Sequence, residues 1–101
     1  MLVFGGSQAV RRLNRAVAEA LPDVLERIGV IHLTGESGYA DALRQREGLP
    51  ATLRARYRPH PFLRDEMGAA LVAADLLVGR AGSSTLAEAA ALGLPMVIVP
   101  Y

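Results

Sequence analysis

Two stretches rich in glycine and hydroxyl side chains stand where an apolar run gives way to a helical one, and the chemistry they offer is anion binding. The first is Gly5-Gly6-Ser7-Gln8, preceded by Leu2-Val3-Phe4 and followed by a helical pattern through Asn14 and Val17. The second is Gly82-Ser83-Ser84-Thr85-Leu86-Ala87-Glu88, which follows the apolar run Asp75 to Gly79 and opens an alanine-rich helix. Small residues let the backbone approach a ligand closely. The first turn of a helix adds N–H groups without intrahelical partners and a partial positive charge. Both turns are therefore competent to hold phosphate.

Each of these residues also has a purely structural use. Ser7, Ser83, Ser84 and Thr85 belong to the class favoured at helix N-caps, and for Ser7 alone the two uses weigh equally. Thr85-Leu86-Ala87-Glu88 fits a capping box, in which the Glu88 carboxylate reaches back to the Thr85 N–H. The alternative is that this carboxylate accepts from the two hydroxyls of a nucleotide ribose lying across the helix start; the local pattern favours capping. A dinucleotide fingerprint is not met, because the second glycine of G-x-G-x-x-G falls on Ser7. Glu36, just past the second strand, is a loop carboxylate of a kind usually left in solvent. His32 and His60 lack a partner at metal-ligand spacing and read as structural, and Asp65-Glu66 reads as first-turn helix charge rather than a catalytic pair. Nothing in the sequence calls for a metal or another cofactor.

The elements that must position these turns can be read from the pattern of apolar residues. A chain of 101 residues is one domain or part of one. At 51% apolar residues it is too rich for disorder. A formal charge of +1 argues against a nucleic-acid surface, and all 11 basic residues are arginine, which excludes a Walker A lysine. Cysteine is absent, so disulfides, thiolate metal sites and cysteine nucleophiles are excluded. The first apolar run is a short strand leading into Gly-Gly rather than a secretory signal. No apolar run approaches the roughly 20 residues of a membrane span.

Strands are expected at Leu2 to Phe4, Val30 to Leu33, Leu53 to Tyr57, Leu76 to Val78 and Met96 to Val99. The first helix buries Val10, Leu13, Val17 and Leu21 and is kinked or ended by Pro22, with a further turn to Gly29. Helices follow from about Tyr39 to Glu47, closed by Gly48, from about Asp65 to Ala73, and from Thr85 to Leu92, capped by Gly93. Arg54, Arg56 and Arg58 alternate as the solvated face of the third strand. Pro59-His60-Pro61 is expected to lie outside regular structure, since two prolines remove donors. The order βαβαβαβαβ predicts an α/β fold, a Rossmann-like parallel sheet with helices on both faces and strand order 3-2-1-4-5. The first and fourth strands then meet at the switch point, with the two glycine turns on either side of one crevice.

At these residues the chain resembles the donor-binding half of the MurG family of GT-B glycosyltransferases. The resemblance covers nearly the whole chain. It runs through Gly5-Gly6-Ser7-Gln8 with Arg11 to Asn14, Pro61-Phe62-Leu63-Arg64-Asp65-Glu66-Met67 and Ala74-Asp75. It continues through Arg80-Ala81-Gly82, Thr85 with Glu88, and Gly93-Leu94-Pro95 leading to Val99-Pro100-Tyr101. It implies transfer of N-acetylglucosamine from UDP-GlcNAc to a polyprenyl-diphosphate-linked muramoyl-pentapeptide, with inversion. Gly6 and Ser7 would face the diphosphate, and backbone at Leu63 would read the uracil edge. Ser83, Ser84, Thr85, Leu86, Ala87 and Glu88 would line the nucleotide and sugar, with Glu88 on the ribose hydroxyls. The family usually has glycine and alanine where this chain has Ala9 and Val10, which adds a methyl group where the loop must meet phosphate.

The same resemblance implies that residues 1–101 are a partial donor-binding domain. The family's acceptor domain and its sugar-holding glutamine pair would lie elsewhere, and this chain alone would be inactive. The lipid-linked acceptor and the membrane would be contacted through those other parts, with the complete protein cytoplasmic and peripheral on the inner face of the cell membrane. No nucleic acid is implied as a partner. The alternatives are the donor half of another GT-B glycosyltransferase and a non-catalytic nucleotide-sugar-binding module.

Overall fold

The computed structural model describes residues 1–4, 10–79 and 83–99, and for Val10 and Ser83 to Thr85 the backbone alone. Five strands, β1 (Leu2–Phe4), β2 (Val30–Leu33), β3 (Tyr57–His60), β4 (Leu77–Gly79) and β5 (Met96–Ile98), form one parallel sheet in the order β3-β2-β1-β4-β5. The helices are α1 (Val10–Val24), α2 (Glu36–Glu47), α3 (Ala51–Arg54), α4 (Met67–Ala73) and α5 (Ser83–Ala91). The strand order is the one expected from the sequence, and β1 and β4 are hydrogen-bonded neighbours at the switch point.

Alternation along the short strands divides the core in two. Val3, Val30 and Tyr57 point to one face and pack with Leu13, Leu21 and Leu25 of the α1 segment and Ala42 of α2. Leu2, Leu33 and Leu77 point to the other and pack with Ala70 and Leu71 of α4 and Ala89 of α5. A parallel sheet needs such cover on both faces. At the far edge β5 is less covered, with Val97 51% and Ile98 56% exposed.

Helix ends follow local chemistry. After α5, Gly93 takes φ 69°, its N–H donates to Ala90 O and the Leu94 N–H to Ala89 O. This is a Schellman closure, and buried Leu94 shares a core cluster with Ala89. Pro22 does not end α1, which runs on to Val24. Its neighbours Leu21 and Leu25 are buried, and the Leu25 N–H bonds Leu21 O across the proline, so core packing holds the last turn. The second helix starts three residues before the expected Tyr39, because Gly35 at φ 76° turns the chain directly into Glu36.

The third strand lies further along than the sequence pattern predicts. Pro50 caps a single helical turn, α3, with the Leu53 and Arg54 N–H groups both donating to its carbonyl. Pro59 and His60 are then part of β3, contrary to expectation. The sheet tolerates Pro59 because β3 is an edge strand. Carbonyls of Arg56 and His60 accept from β2 and its extension, whereas the Tyr57 carbonyl faces outward and accepts from Arg46 Nε. Pro59 shares the orientation of Tyr57, so its missing N–H faces away from the ladder. The three arginines are correspondingly reassigned. Arg54 donates to Leu49 O from α3, Arg56 donates to Leu25 O and Glu26 O beyond α1, and Arg58 alone is an exposed strand residue.

Candidate functional site

The register brings the carboxyl ends of all five strands level. His60 pairs with Leu33, Leu33 with Phe4, Phe4 with Gly79 and Gly79 with Ile98. Chain segments leaving this row rise from one rim, and in doubly wound sheets ligands bind there, at the switch point. In this sheet the switch point is the Phe4–Gly79 pair. In the sequence the first glycine-rich stretch follows Phe4 and the second follows Gly79. Gly6 and Ser7 lie outside the described residues, and the structure gives the strand before them, β1, and the helix after them, α1.

At the second turn, Ser83, Ser84 and Thr85 form the first turn of α5 by their backbone. Leu86 is half-buried, and Ala87 and Glu88 are exposed to solvent on the next turn. The expected bond from the Thr85 N–H to Glu88 involves a residue whose surroundings lie outside the description.

Leu63 sits in the segment between β3 and α4, half-buried and packed against the second core cluster. Its neighbour Phe62 is exposed, with the Arg64 guanidinium 5.0 Å from the ring centroid. A groove of about 630 Å³ runs beneath this segment, bounded by His60, Phe62, Leu63, Arg64 and Ile31. The segment therefore offers backbone and a flat cationic-aromatic pair at the same rim, on the β3 side. Asp65 and Glu66 precede α4 rather than opening it, and Glu66 makes no side-chain cap bond.

A second feature of the rim went unrecognised in the sequence, where His32 is legible as structural but its partners are not. His32 is 1% exposed, and its Nδ1 lies 2.7 Å from the Tyr57 hydroxyl and its Nε2 2.7 Å from Asn14 Oδ1. Asn14 Nδ2 in turn donates to Thr34 O at 3.0 Å. The Thr34 carbonyl can only accept, so Asn14 presents its oxygen to His32, which must donate from Nε2 and accept the Tyr57 hydroxyl proton at Nδ1. Burial holds the imidazole neutral, its pKa lowered to about 4, and pushes the Tyr57 hydroxyl up to about 12. Asn14 and His32 also line a cleft of about 570 Å³ between α1 and α2. Among the described residues no three His, Asp or Glu side chains are grouped to hold a metal, and no helix is long and apolar enough to cross a membrane.

Comparison with known proteins agrees with this architecture. The model of the glycosyltransferase family 28 C-terminal domain matches residues 1–101. A UDP-N-acetylglucosamine–N-acetylmuramyl-(pentapeptide) pyrophosphoryl-undecaprenol N-acetylglucosamine transferase of Desulforamulus reducens is 38% identical over 105 residues, covering 100% of this chain and 28% of the relative. Proteins of the same name from a Roseiflexus species and a Geobacter species are 41% and 42% identical, again over 100% of this chain and 26% and 27% of their own lengths. The chain thus spans about a quarter of the length of these relatives. No solved structure matches.

Proposed function

The chain belongs to the glycosyltransferase family 28 C-terminal domains, and on that premise we propose that it is the donor-binding part of an enzyme transferring N-acetylglucosamine from UDP-GlcNAc to a polyprenyl-diphosphate-muramoyl-pentapeptide. The observation that carries this reading is the match of this whole chain to about a quarter of the length of relatives bearing that name, at 38% to 42% identity. The geometry supports it independently. The paired ends of β1 and β4 bring the starts of α1 and α5 to one rim, where two sets of N–H donors can face a diphosphate.

In this reading Gly6 and Ser7 face the diphosphate, the Leu63 backbone reads the uracil, and Ser83 to Glu88 line the ribose and sugar, with Glu88 accepting from the ribose hydroxyls. The donors would also stabilise the negative charge that develops on the departing UDP, the charge-stabilising contribution that is usually the largest in such transfers. The acceptor is held by other parts of the complete protein, which is cytoplasmic and peripheral on the inner face of the cell membrane. No cofactor enters the chemistry.

The test is a chimera. This chain is placed in a relative's enzyme in exchange for the matching segment, and transfer of N-acetylglucosamine to the lipid-linked acceptor is assayed. The expected result is transfer in the chimera, loss of transfer with Glu88→Ala, and none from the 101 residues alone. A chimera that binds UDP-GlcNAc tightly without turnover favours a binding module instead. Robust transfer by the isolated chain would contradict the division of labour.

A further inference from the structure

We propose that Asn14 is a positioning residue for the diphosphate-facing turn, a latch that fixes where α1 begins relative to the carboxyl end of β2; the proposal rests on the donor-binding reading given above. Asn14 is on α1, four residues after the helix start at Val10, which places the latch roughly 6 Å along the axis from the first turn. Its amide is used in both directions. Nδ2 donates to Thr34 O, the first carbonyl beyond β2, and Oδ1 accepts from the His32 Nε2–H within β2. Both partners are fully buried, and His32 is itself held from β3 by the Tyr57 hydroxyl.

Apolar packing alone leaves this placement loose. Leu13 and Leu21 on the same helix hold α1 against the sheet, but the hydrophobic effect is non-directional and permits sliding along the axis. Two hydrogen bonds of 2.7 and 3.0 Å to fixed partners do not permit it. Gly38 on α2 supplies the independent observation. A Cβ at Gly38 would overlap Asn14 Nδ2. Glycine inside a helix costs about 1 kcal/mol relative to alanine, so its presence in α2 has a reason in the room it leaves for this one amide.

The experiment uses the full chain and three variants, Asn14→Ala, Gly38→Ala and, as a stability control in the core cluster on the other face of the sheet, Leu71→Ala. UDP and uridine are titrated separately against each, and amide hydrogen exchange of residues 5–13 is followed without ligand. Positioning of the diphosphate turn requires that Asn14→Ala and Gly38→Ala weaken UDP by about tenfold or more while changing uridine by less than about twofold, with faster exchange in residues 5–13. Leu71→Ala is expected to lower the Tm and leave the UDP-to-uridine ratio unchanged. Gly38→Ala keeps every hydrogen-bonding group, so it reports on the latch even where Asn14→Ala is too unstable to titrate. If UDP binds the parent chain and its ratio to uridine is unchanged in both latch variants, the latch is overturned and the donor-binding reading stands. If the parent binds no UDP, the donor-binding reading fails, and unaltered exchange in residues 5–13 then overturns the latch separately.

Discussion

Phe4 and Gly79 stand opposite one another in register at the carboxyl ends of β1 and β4, so close that a Cβ on Gly79 would overlap the Phe4 carbonyl. The obstructing atom is backbone, which cannot swing aside. Gly79→Ala must therefore push the two central strands apart at the switch point, a cost of about 1–3 kcal/mol for forced overpacking. For a domain of this size each kcal/mol lowers the Tm by about 4–8 °C. Thermal unfolding of the variant checks this, and an unchanged Tm would show that the strands do not meet here.

The buried His32 ties stability to pH. In the unfolded chain it titrates near 6.5, whereas burial lowers its folded pKa to about 4. Between those values the unfolded state binds the proton and the folded state does not, so stability is full above about pH 6.5 and declines as the pH falls toward 4. The full shift corresponds to about 3 kcal/mol. Urea midpoints at pH 7 and pH 5 measure the decline, and His32→Asn should flatten it.

Tyr57 gives the opposite limb. Its hydroxyl is raised to about 12 from 10.0, so the unfolded state loses a proton first and stability drains away as the pH rises through that window. Tyr57→Phe should remove this alkaline loss while leaving His32 Nδ1 unpaired, at a cost of about 1–3 kcal/mol at neutral pH. Denaturant titrations at pH 8 and pH 11 separate the two effects.

At the rim, Glu88 is exposed on the second turn of α5. If it accepts from the ribose, Glu88→Ala weakens UDP more than Glu88→Gln, because glutamine keeps an acceptor oxygen. A hydrogen bond to a charged group is worth roughly 1.5–3 kcal/mol. Calorimetric titration of both variants is the check, and normal affinity with a lowered Tm would leave Glu88 as a cap alone.

Legibility in the sequence follows the range of the forces involved. The bounds of β1 and β2 and the strand order could be read because apolar runs between glycine turns are local signals, and the order follows from the βα alternation. The third strand was misplaced because Pro59 is a breaker everywhere except on an edge, and an edge is a property of the whole sheet. The extended alternation of Arg54, Arg56 and Arg58 concealed a helical turn, since Pro50 and the packing of partly buried Leu53 against the core outweighed it. Around the candidate site, a helix after β4 is legible from the local pattern, although it starts at Ser83 rather than at the expected Thr85, whereas Leu63 enters only through the family resemblance. The latch is not legible, because Tyr57 and Asn14 lie 25 and 18 residues from the histidine they hold.

The central claim is that a nucleoside diphosphate binds where the ends of β1 and β4 meet. Titrating UDP-GlcNAc into isotopically labelled chain and following backbone amide shifts tests it most directly. The expected result is saturable shifts concentrated in the residues after Phe4 and after Gly79, through the first two turns of α5 and around Leu63, with none along β5. Shifts confined to the cleft between α1 and α2, or no saturable shifts at all, would contradict the account.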